Sequence, residues 1–247
     1  KYIIKTIESV ISQTYKKWEL IIVDDCSKDT TKSLINNFKD ERIKLLTLES
    51  NVGPAEARNI AIRNSKSEFI SILDADDICH RNRIECQVNY LRIHPEVFIC
   101  GSQINIIDIE GNRKGKIKFP CSSNSIKVAC LHSSPLAHPS VTLRRSTFKL
   151  IGFYRNETCW LGLHCEDYDL ILRALNKGLT VVNINKFLLD YRIHDSSLTS
   201  KSKRSLIIKK GTLNALKNTG IFFLSDSLNQ KLNQILNNDE EPNFLFL

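Results

Sequence analysis

Leu20-Ile21-Ile22-Val23 is a short apolar run that stops abruptly at Asp24-Asp25. Unbroken apolarity closed by acids suits a parallel strand buried on both faces, whose carboxyl end meets water. Before it, Ile3, Ile4, Ile7, Val10 and Ile11 recur at a helical period within residues 2–13. After it, Ser27 stands where an N-cap is expected for a helix running to Phe38. Ile43 to Leu48 reads as a strand, and Pro54 to Asn64 as a helix entered through Asn51-Val52-Gly53-Pro54. Phe69-Ile70-Ser71-Ile72-Leu73 is again an apolar run stopped by acids, at Asp74-Ala75-Asp76-Asp77. A helix over 81–93 closes at Pro95, and 97–108 is extended up to a turn at Glu110-Gly111-Asn112.

This alternation predicts an α/β fold with a mostly parallel sheet covered by helices on both faces. Right-handed crossovers would line up the carboxyl ends of the strands along one edge, the edge at which open α/β sheets bind ligands. Both acidic clusters should therefore face the same edge. From residue 116 the pattern loosens. Val141-Thr142-Leu143 is strand-like, Glu166 to Asn176 helical with Gly178 as its stop, and Leu179 to Val182 and Phe187 to Tyr191 read as two strands. Residues 202–218 and 225–237 suggest a small helical tail. The expected division is a catalytic domain over 1–198 and a helical appendage over 199–247.

In 247 residues, 42% hydrophobic and 25% charged, there is no sign of a disordered tail, a collagen-like repeat or a small disulfide scaffold. No apolar run approaches the roughly 18 to 20 residues of a membrane-spanning helix, and Lys1-Tyr2-Ile3-Ile4 does not open a signal peptide. None of the eight cysteines forms a Cys-x-x-Cys pair, so reduced structural thiols in a cytoplasmic protein are the expectation. Thirty-five Lys and Arg against 27 Asp and Glu give a net charge of +8. The excess gathers late, at Lys201-Ser202-Lys203-Arg204 and Lys209-Lys210. It reads either as a solvated helix face or as peripheral contact with the inner face of an anionic membrane. Nucleic acid is not an expected partner, because no basic and aromatic platform, zinc-finger spacing or recognition helix is present.

Several residues could carry chemistry. Asp74 and Asp76, two apart at a strand end, can share a hard divalent cation or a ribose hydroxyl, although a solvated turn has the same pattern. Asp167 and Asp169 repeat the spacing inside a helix, where such positions diverge by about 200° and cannot chelate one ion. Asp24 or Asp25 could accept hydrogen bonds from a base or ribose, or simply cap the next helix. Arg58, one turn into its helix, could pair with Asp24 or Asp25 or meet a nucleotide. Glu166 and Asp167 open a helix whose dipole favours them, and one could act as a general base. Trp160 could stack on a sugar or pack in the core, and His194 could ligate a metal or meet a phosphate.

Five segments, in order, resemble the family 2 glycosyltransferases. They are Val10-Ile11-Ser12-Gln13-Thr14-Tyr15 with Glu19 to Asp25; Asn51-Val52-Gly53; Ala57-Arg58-Asn59; Leu73-Asp74-Ala75-Asp76-Asp77; and Glu166-Asp167-Tyr168-Asp169-Leu170. The likeness spans about residues 2 to 195. It implies the GT-A fold, a Rossmann-like three-layer sandwich, and transfer of a sugar from a nucleotide donor with inversion at the anomeric carbon. It further implies that Asp24 and Arg58 bind the base of the donor, with Asp25 also among the donor-binding residues, and that Asp74 helps hold the ribose and diphosphate. By the same likeness Asp76 coordinates Mg²⁺ or Mn²⁺ with His194 near it, and Asp167 is the base with Glu166 beside it. Oxygen ligands suit either ion, and an imidazole tilts the choice towards Mn²⁺.

The expected activity is transfer from a nucleotide sugar, most simply a UDP-sugar, to a saccharide or lipid-linked acceptor of a surface glycan. A non-catalytic nucleotide-sugar binding module is the alternative. A nucleotidyltransferase would want a Gly-rich basic loop after a first strand, and none is seen. Two departures from the family stand out. Its usual opening strand, ending in Pro and a polar pair, does not precede the first helix, so a truncated chain lacking that strand is the expectation. Cys26 also occupies a position where Gly is common.

Overall fold

The structure is a computed structural model that describes residues 2–130, 134–155 and 166–194. The expectations for Trp160, for the basic segment at 201–210 and for an appendage over 199–247 lie outside these residues.

Helix α1 (Ile3–Ile11) is followed by β1 (Leu20–Asp24), α2 (Thr31–Asn36) and β2 (Ile43–Thr47). Strands β1 and β2 pair in parallel, Leu20 beside Ile43 through Asp24 beside Thr47. Ile3 and Ile7 of α1 and Ile35 of α2 form one apolar cluster, with Leu20, Ile22, Ile43 and Leu45 packed against it. The helical period of α1 thus faces the strands that the sequence marks as apolar. Helix α2 begins at Thr31, later than Ser27 suggests, because Asp29 Oδ1 accepts the Thr31 N–H at 3.0 Å and starts the helix there.

Next come α3 (Gly53–Asn64), β3 (Phe69–Ser71), β4 (Ile78–Cys79), α4 (Arg83–Ile93), β5 (Val97–Ile107), β6 (Arg113–Ile117), α5 (Ser123–Ala129), β7 (Thr142–Arg144), α6 (Ser146–Ile151), α7 (Glu166–Asn176) and β8 (Thr180–Arg192). The second sheet has the order β3-β7-β5-β8-β4, with β6 added to β5. Strands β5 and β8 run parallel, whereas β3 with β7, β5 with β7, β4 with β8 and β5 with β6 are antiparallel. The layered α/β class holds, but strand directions are mixed. Apolar runs report burial on two faces and say nothing of direction. The turn around Gly111 folds β6 straight back, and β7, which follows α5 in the chain, runs antiparallel to β5. The two strands read at 179–182 and 187–191 belong to the single strand β8 (Thr180–Arg192), which stays paired with β5 across shifts of register near Ser102 and Gln103.

The main core packs Ile99, Leu143 and Val181 of the sheet against Leu170, Ile171, Leu172 and Ala174 of α7. Gly101 on β5 is required by close approach: a Cβ there would lie 2.1 Å from Asn183 Oδ1 and 2.8 Å from Leu136 Cδ2. Arg83 is wholly buried, and its Nη2 donates to the Ile72 carbonyl at 2.7 Å just where the chain leaves β3. A cavity of about 270 Å³ separates β1 from β3. Consecutive residues line it, Leu20 to Val23 on one side and Phe69 to Leu73 on the other, between Ile3 and Ile7 of α1 and Ala57 and Ala61 of α3. It is therefore strand edges, not faces, that border this slot. The six described cysteines are free thiols, and burial pushes Cys100 and Cys130 up to about 12. None of the described helices is long and apolar enough to cross a membrane.

Candidate functional site

The acids that end β3 continue into a loop, Asp74 to Asp77, held by α1 and by the end of β8. Thr6 Oγ1 of α1 donates to the carbonyls of Ala75 (3.0 Å) and Asp77 (2.9 Å). The Arg192 N–H at the end of β8 donates to Asp77 Oδ1 at 2.8 Å, and Arg192 Nε donates to the Asp76 carbonyl at 2.8 Å. Asp77 is fully buried, and its Oδ2 has no partner among the described residues. Burial first, then repulsion from Asp74, pushes its carboxyl up to about 9 against the pull of the Arg192 N–H. Asp77 is thus a neutral acid at neutral pH, a structural pin of the loop. Asp76 points elsewhere, and its Oδ2 lies 2.8 Å from His194 Nε2. Both side chains remain partly open to solvent, at 31% and 15%.

Arg58 links that loop to α7. Its Nη1 donates to Glu166 Oε1 at 2.6 Å across 108 residues of sequence, and its Nη2 to Asp74 Oδ1 at 3.3 Å. Burial works against the charge of Arg58 but is outweighed by Asp74 and Glu166, so its pKa lies above the ordinary value. Desolvation in the cleft raises Asp74, with Arg58 opposing and Asp76 adding repulsion. Glu166 is 3% exposed, and its second oxygen has no partner among the described residues. Beside it, Asp167 accepts the Tyr168 N–H at 2.8 Å. Burial and the neighbouring Glu166 push Asp167 up to about 6, the Tyr168 hydrogen bond resisting. Beneath Arg58, His138 Nε2 meets the Tyr154 hydroxyl at 2.9 Å. Burial, then the positive charges of Arg58 and Arg83, hold His138 well below its usual range, and it stays neutral.

The first acidic cluster reaches the same region through α3. Asp25 accepts the N–H groups of Val52 (2.7 Å) and Gly53 (2.9 Å), so it caps α3 rather than the helix that follows it in sequence. Arg58 lies on that same helix. Asp24 is buried, with Oδ2 near Ser27 N at 3.3 Å and Lys32 Nζ at 3.4 Å. The pairing of Arg58 with Asp24 or Asp25 read from sequence is replaced by its bridge between Asp74 and Glu166. The reason is tertiary: α3 presents Arg58 between the end of β3 and the start of α7. Cys26 adopts φ +70°, the left-handed conformation that glycine takes most easily.

Asp74, Asp76, His194, Arg58, Glu166 and Asp167 are therefore brought together, with Asp25 fixing the entrance of the helix that carries Arg58. Three contributors escaped the sequence reading: Thr6, Asp77 as a buried pin, and Arg192. Asp77 carried a signal in its adjacency to Asp74-Ala75-Asp76, whereas Thr6 and Arg192 carried none. One carboxylate oxygen and one imidazole suit a borderline-hard divalent ion such as Mn²⁺. Among the described residues no cluster of three His, Cys, Asp or Glu could hold a metal, so the protein side offers a two-donor set.

The chain matches the family described as Glycosyl transferase family 2 over residues 1–161. It is 32% identical over 206 residues to the Escherichia coli UDP-Glc:alpha-D-GlcNAc-diphosphoundecaprenol beta-1,3-glucosyltransferase WfgD, covering 81% of this chain and 76% of that one. With WfaP, an E. coli enzyme of the same description, identity is 34% over 216 residues, covering 87% and 80%. Among solved structures, S. aureus TarS 1–349 in complex with UDP-GlcNAc superimposes with a TM-score of 0.67 at 18% identity, over 95% of this chain and 66% of that one. The mannosyltransferase PcManGT from Pyrobaculum calidifontis, in complex with GDP-Man and Mn²⁺, gives 0.66 at 15% identity, over 95% and 64%. At such identities these two likenesses speak for the fold.

Proposed function

The chain belongs to glycosyl transferase family 2, and from that premise we propose that it moves a sugar from a UDP-sugar to a lipid-linked saccharide in surface-glycan synthesis, with inversion. The observation that carries the proposal is Arg58, which ties the Asp74 end of β3 to the Glu166-Asp167 end of α7 in one cleft. The curated relatives named above use UDP-Glc and an undecaprenol-linked acceptor, which supports the choice of donor and acceptor.

Asp74 borders the donor's ribose and diphosphate; Arg58, expected with Asp24 on the base side, goes with Asp74 instead because the two are paired. Asp76 and His194 would hold a divalent cation, with Mn²⁺ favoured by the imidazole. When bound, the cation neutralises the charge that develops on the departing nucleoside diphosphate. Asp167 takes the proton from the acceptor hydroxyl as that oxygen bonds to the anomeric carbon. The bond from that carbon to the diphosphate breaks on the opposite face, so configuration inverts. A carboxylate whose pKa stands near 6 is ionised at neutral pH yet more basic than an ordinary aspartate, which suits this task. Glu166, charge-paired with Arg58, fixes the start of α7 and with it Asp167.

Incubating the chain with a panel of nucleotide sugars, Mn²⁺ and an undecaprenyl-diphosphate-linked GlcNAc acceptor tests the reading, with product identified by mass spectrometry. A new disaccharide from a UDP-sugar is the expected result. Mn²⁺-dependent UDP binding with no product from any donor would leave a binding module in its place. Asp76→Ala should remove the Mn²⁺ dependence of UDP binding, and unaltered dependence would take the cation away from Asp76.

A further inference from the structure

Asp76 sits in a loop, and a carboxylate on a loop needs support to keep a fixed geometry. Its support is a closed circuit of contacts. Arg192, 1% exposed, donates from Nε to the Asp76 carbonyl at 2.8 Å and from Nη1 to the Asp108 carbonyl at 2.7 Å. The same guanidinium lies over the Tyr2 ring, 4.5 Å from its centroid. On the Tyr2 ring also stacks His194, with centroids 5.6 Å apart and planes 28° from parallel. His194 Nε2 then returns to Asp76 Oδ2 at 2.8 Å. Tyr2 and Thr6 are four residues apart and share one face of the first turn of α1. Thr6 bonds the carbonyls on either side of Asp76, so this turn grips the loop at both flanks.

We propose that Tyr2 and Arg192 are positioning residues for the Asp76–His194 pair, Tyr2 as the aromatic plate on which imidazole and guanidinium are both aligned. This rests on the reading that the pair serves a cation bridging the donor diphosphate. The physical content is that a histidine with two rotatable bonds is fixed by a stacked ring on one side and an acceptor at Nε2. Arg192 meanwhile sets the backbone from which Asp76 projects. A cation–π contact to a desolvated guanidinium contributes more than one on the surface, and Arg192 is buried. As positioning residues they act on the cation through the Asp76–His194 pair.

The test is calorimetry of UDP binding to the whole chain with Mn²⁺ and with EDTA, for wild type, Tyr2→Phe, Tyr2→Leu and Arg192→Lys, with melting followed alongside. Tyr2→Leu and Arg192→Lys should each cut the Mn²⁺ enhancement of UDP affinity by about tenfold, the lower end of what loss of such outer support costs. Affinity in EDTA should stay within about twofold, and Tyr2→Phe should keep more of the enhancement than Tyr2→Leu because the plate remains. Equal losses with and without Mn²⁺, or a full enhancement in Tyr2→Leu, overturn the proposal while leaving the cation reading intact. A wild-type chain whose UDP affinity ignores Mn²⁺ overturns the cation reading itself, and this inference with it.

Discussion

Replacing Asp167 by Asn should abolish transfer and stabilise the protein at the same time. Burial and Glu166 raise the Asp167 pKa from 3.8 to about 6 on folding. The folded state therefore holds its proton more tightly than the unfolded chain does. The stability linked to that proton is fully present below about pH 4 and is lost as pH rises through about 6. A shift of about two pH units corresponds to about 3 kcal/mol, at roughly 1.4 kcal/mol per unit. Partial solvent access reduces this to about 1–2 kcal/mol. An asparagine has no such burden at pH 7.5, so urea unfolding should give a higher midpoint for Asp167→Asn than for wild type, by about that free energy. At pH 4 the two curves should converge, because wild-type Asp167 is then protonated too. Activity gives the other half of the argument. In wild type, kcat/KM should fall about tenfold per pH unit below pH 6, following the ionised fraction of the base. A variant that is no more stable at pH 7.5 refutes the electrostatic reasoning. A wild-type rate that is flat down to pH 5, or turnover retained in Asp167→Asn, refutes the role of base.

Three further substitutions probe the frame around that carboxylate. Arg58→Met strands Glu166 as a buried, unpaired charge and should cost about 3–5 kcal/mol in urea unfolding, whereas a loss below about 1 kcal/mol would show that the bridge carries little of the coupling between α3 and α7. Cys26→Gly relieves an L-residue held at φ +70° and should raise stability by about 1 kcal/mol, seen as an upward shift in melting temperature; a downward shift would mean that the thiol holds the loop. Gly101→Ala drives a methyl into Asn183 Oδ1 and Leu136 Cδ2. It should cost about 1–3 kcal/mol, and a neutral result would show that β5 and Asn183 separate easily.

Much of the site could be read along the chain because its chemistry is concentrated at strand ends. An apolar run that stops at paired acids, as at Val23-Asp24 and Leu73-Asp74, announces a buried strand and a wet edge at once. The motif order then carried the family, and in the structure Arg58 joins Asp74 to Glu166, with Asp76 and Asp167 beside them in sequence. The true partners of Arg58 were not legible. Glu166 is 108 residues away, and nothing in local spacing distinguishes it from Asp24 or Asp25. Tyr2 and Arg192 were silent for the same reason. A tyrosine at the start of an apolar helix and an arginine at the end of a strand look like packing and solvation until the two ends meet.

Composition and periodicity by themselves determined the alternation of helices and strands, the burial of the strands and the placement of acids at their carboxyl ends. These follow from the near-neighbour rules of backbone geometry and hydrophobicity, which act over a few residues. Tertiary structure alone decided the direction of β7, the union of 180–191 into one strand, the raised pKa values of Asp77 and Asp167, and the bridge at Arg58. Each of these depends on strand pairing, burial or charge pairing with segments distant in sequence, and such terms exist only once the chain has closed on itself.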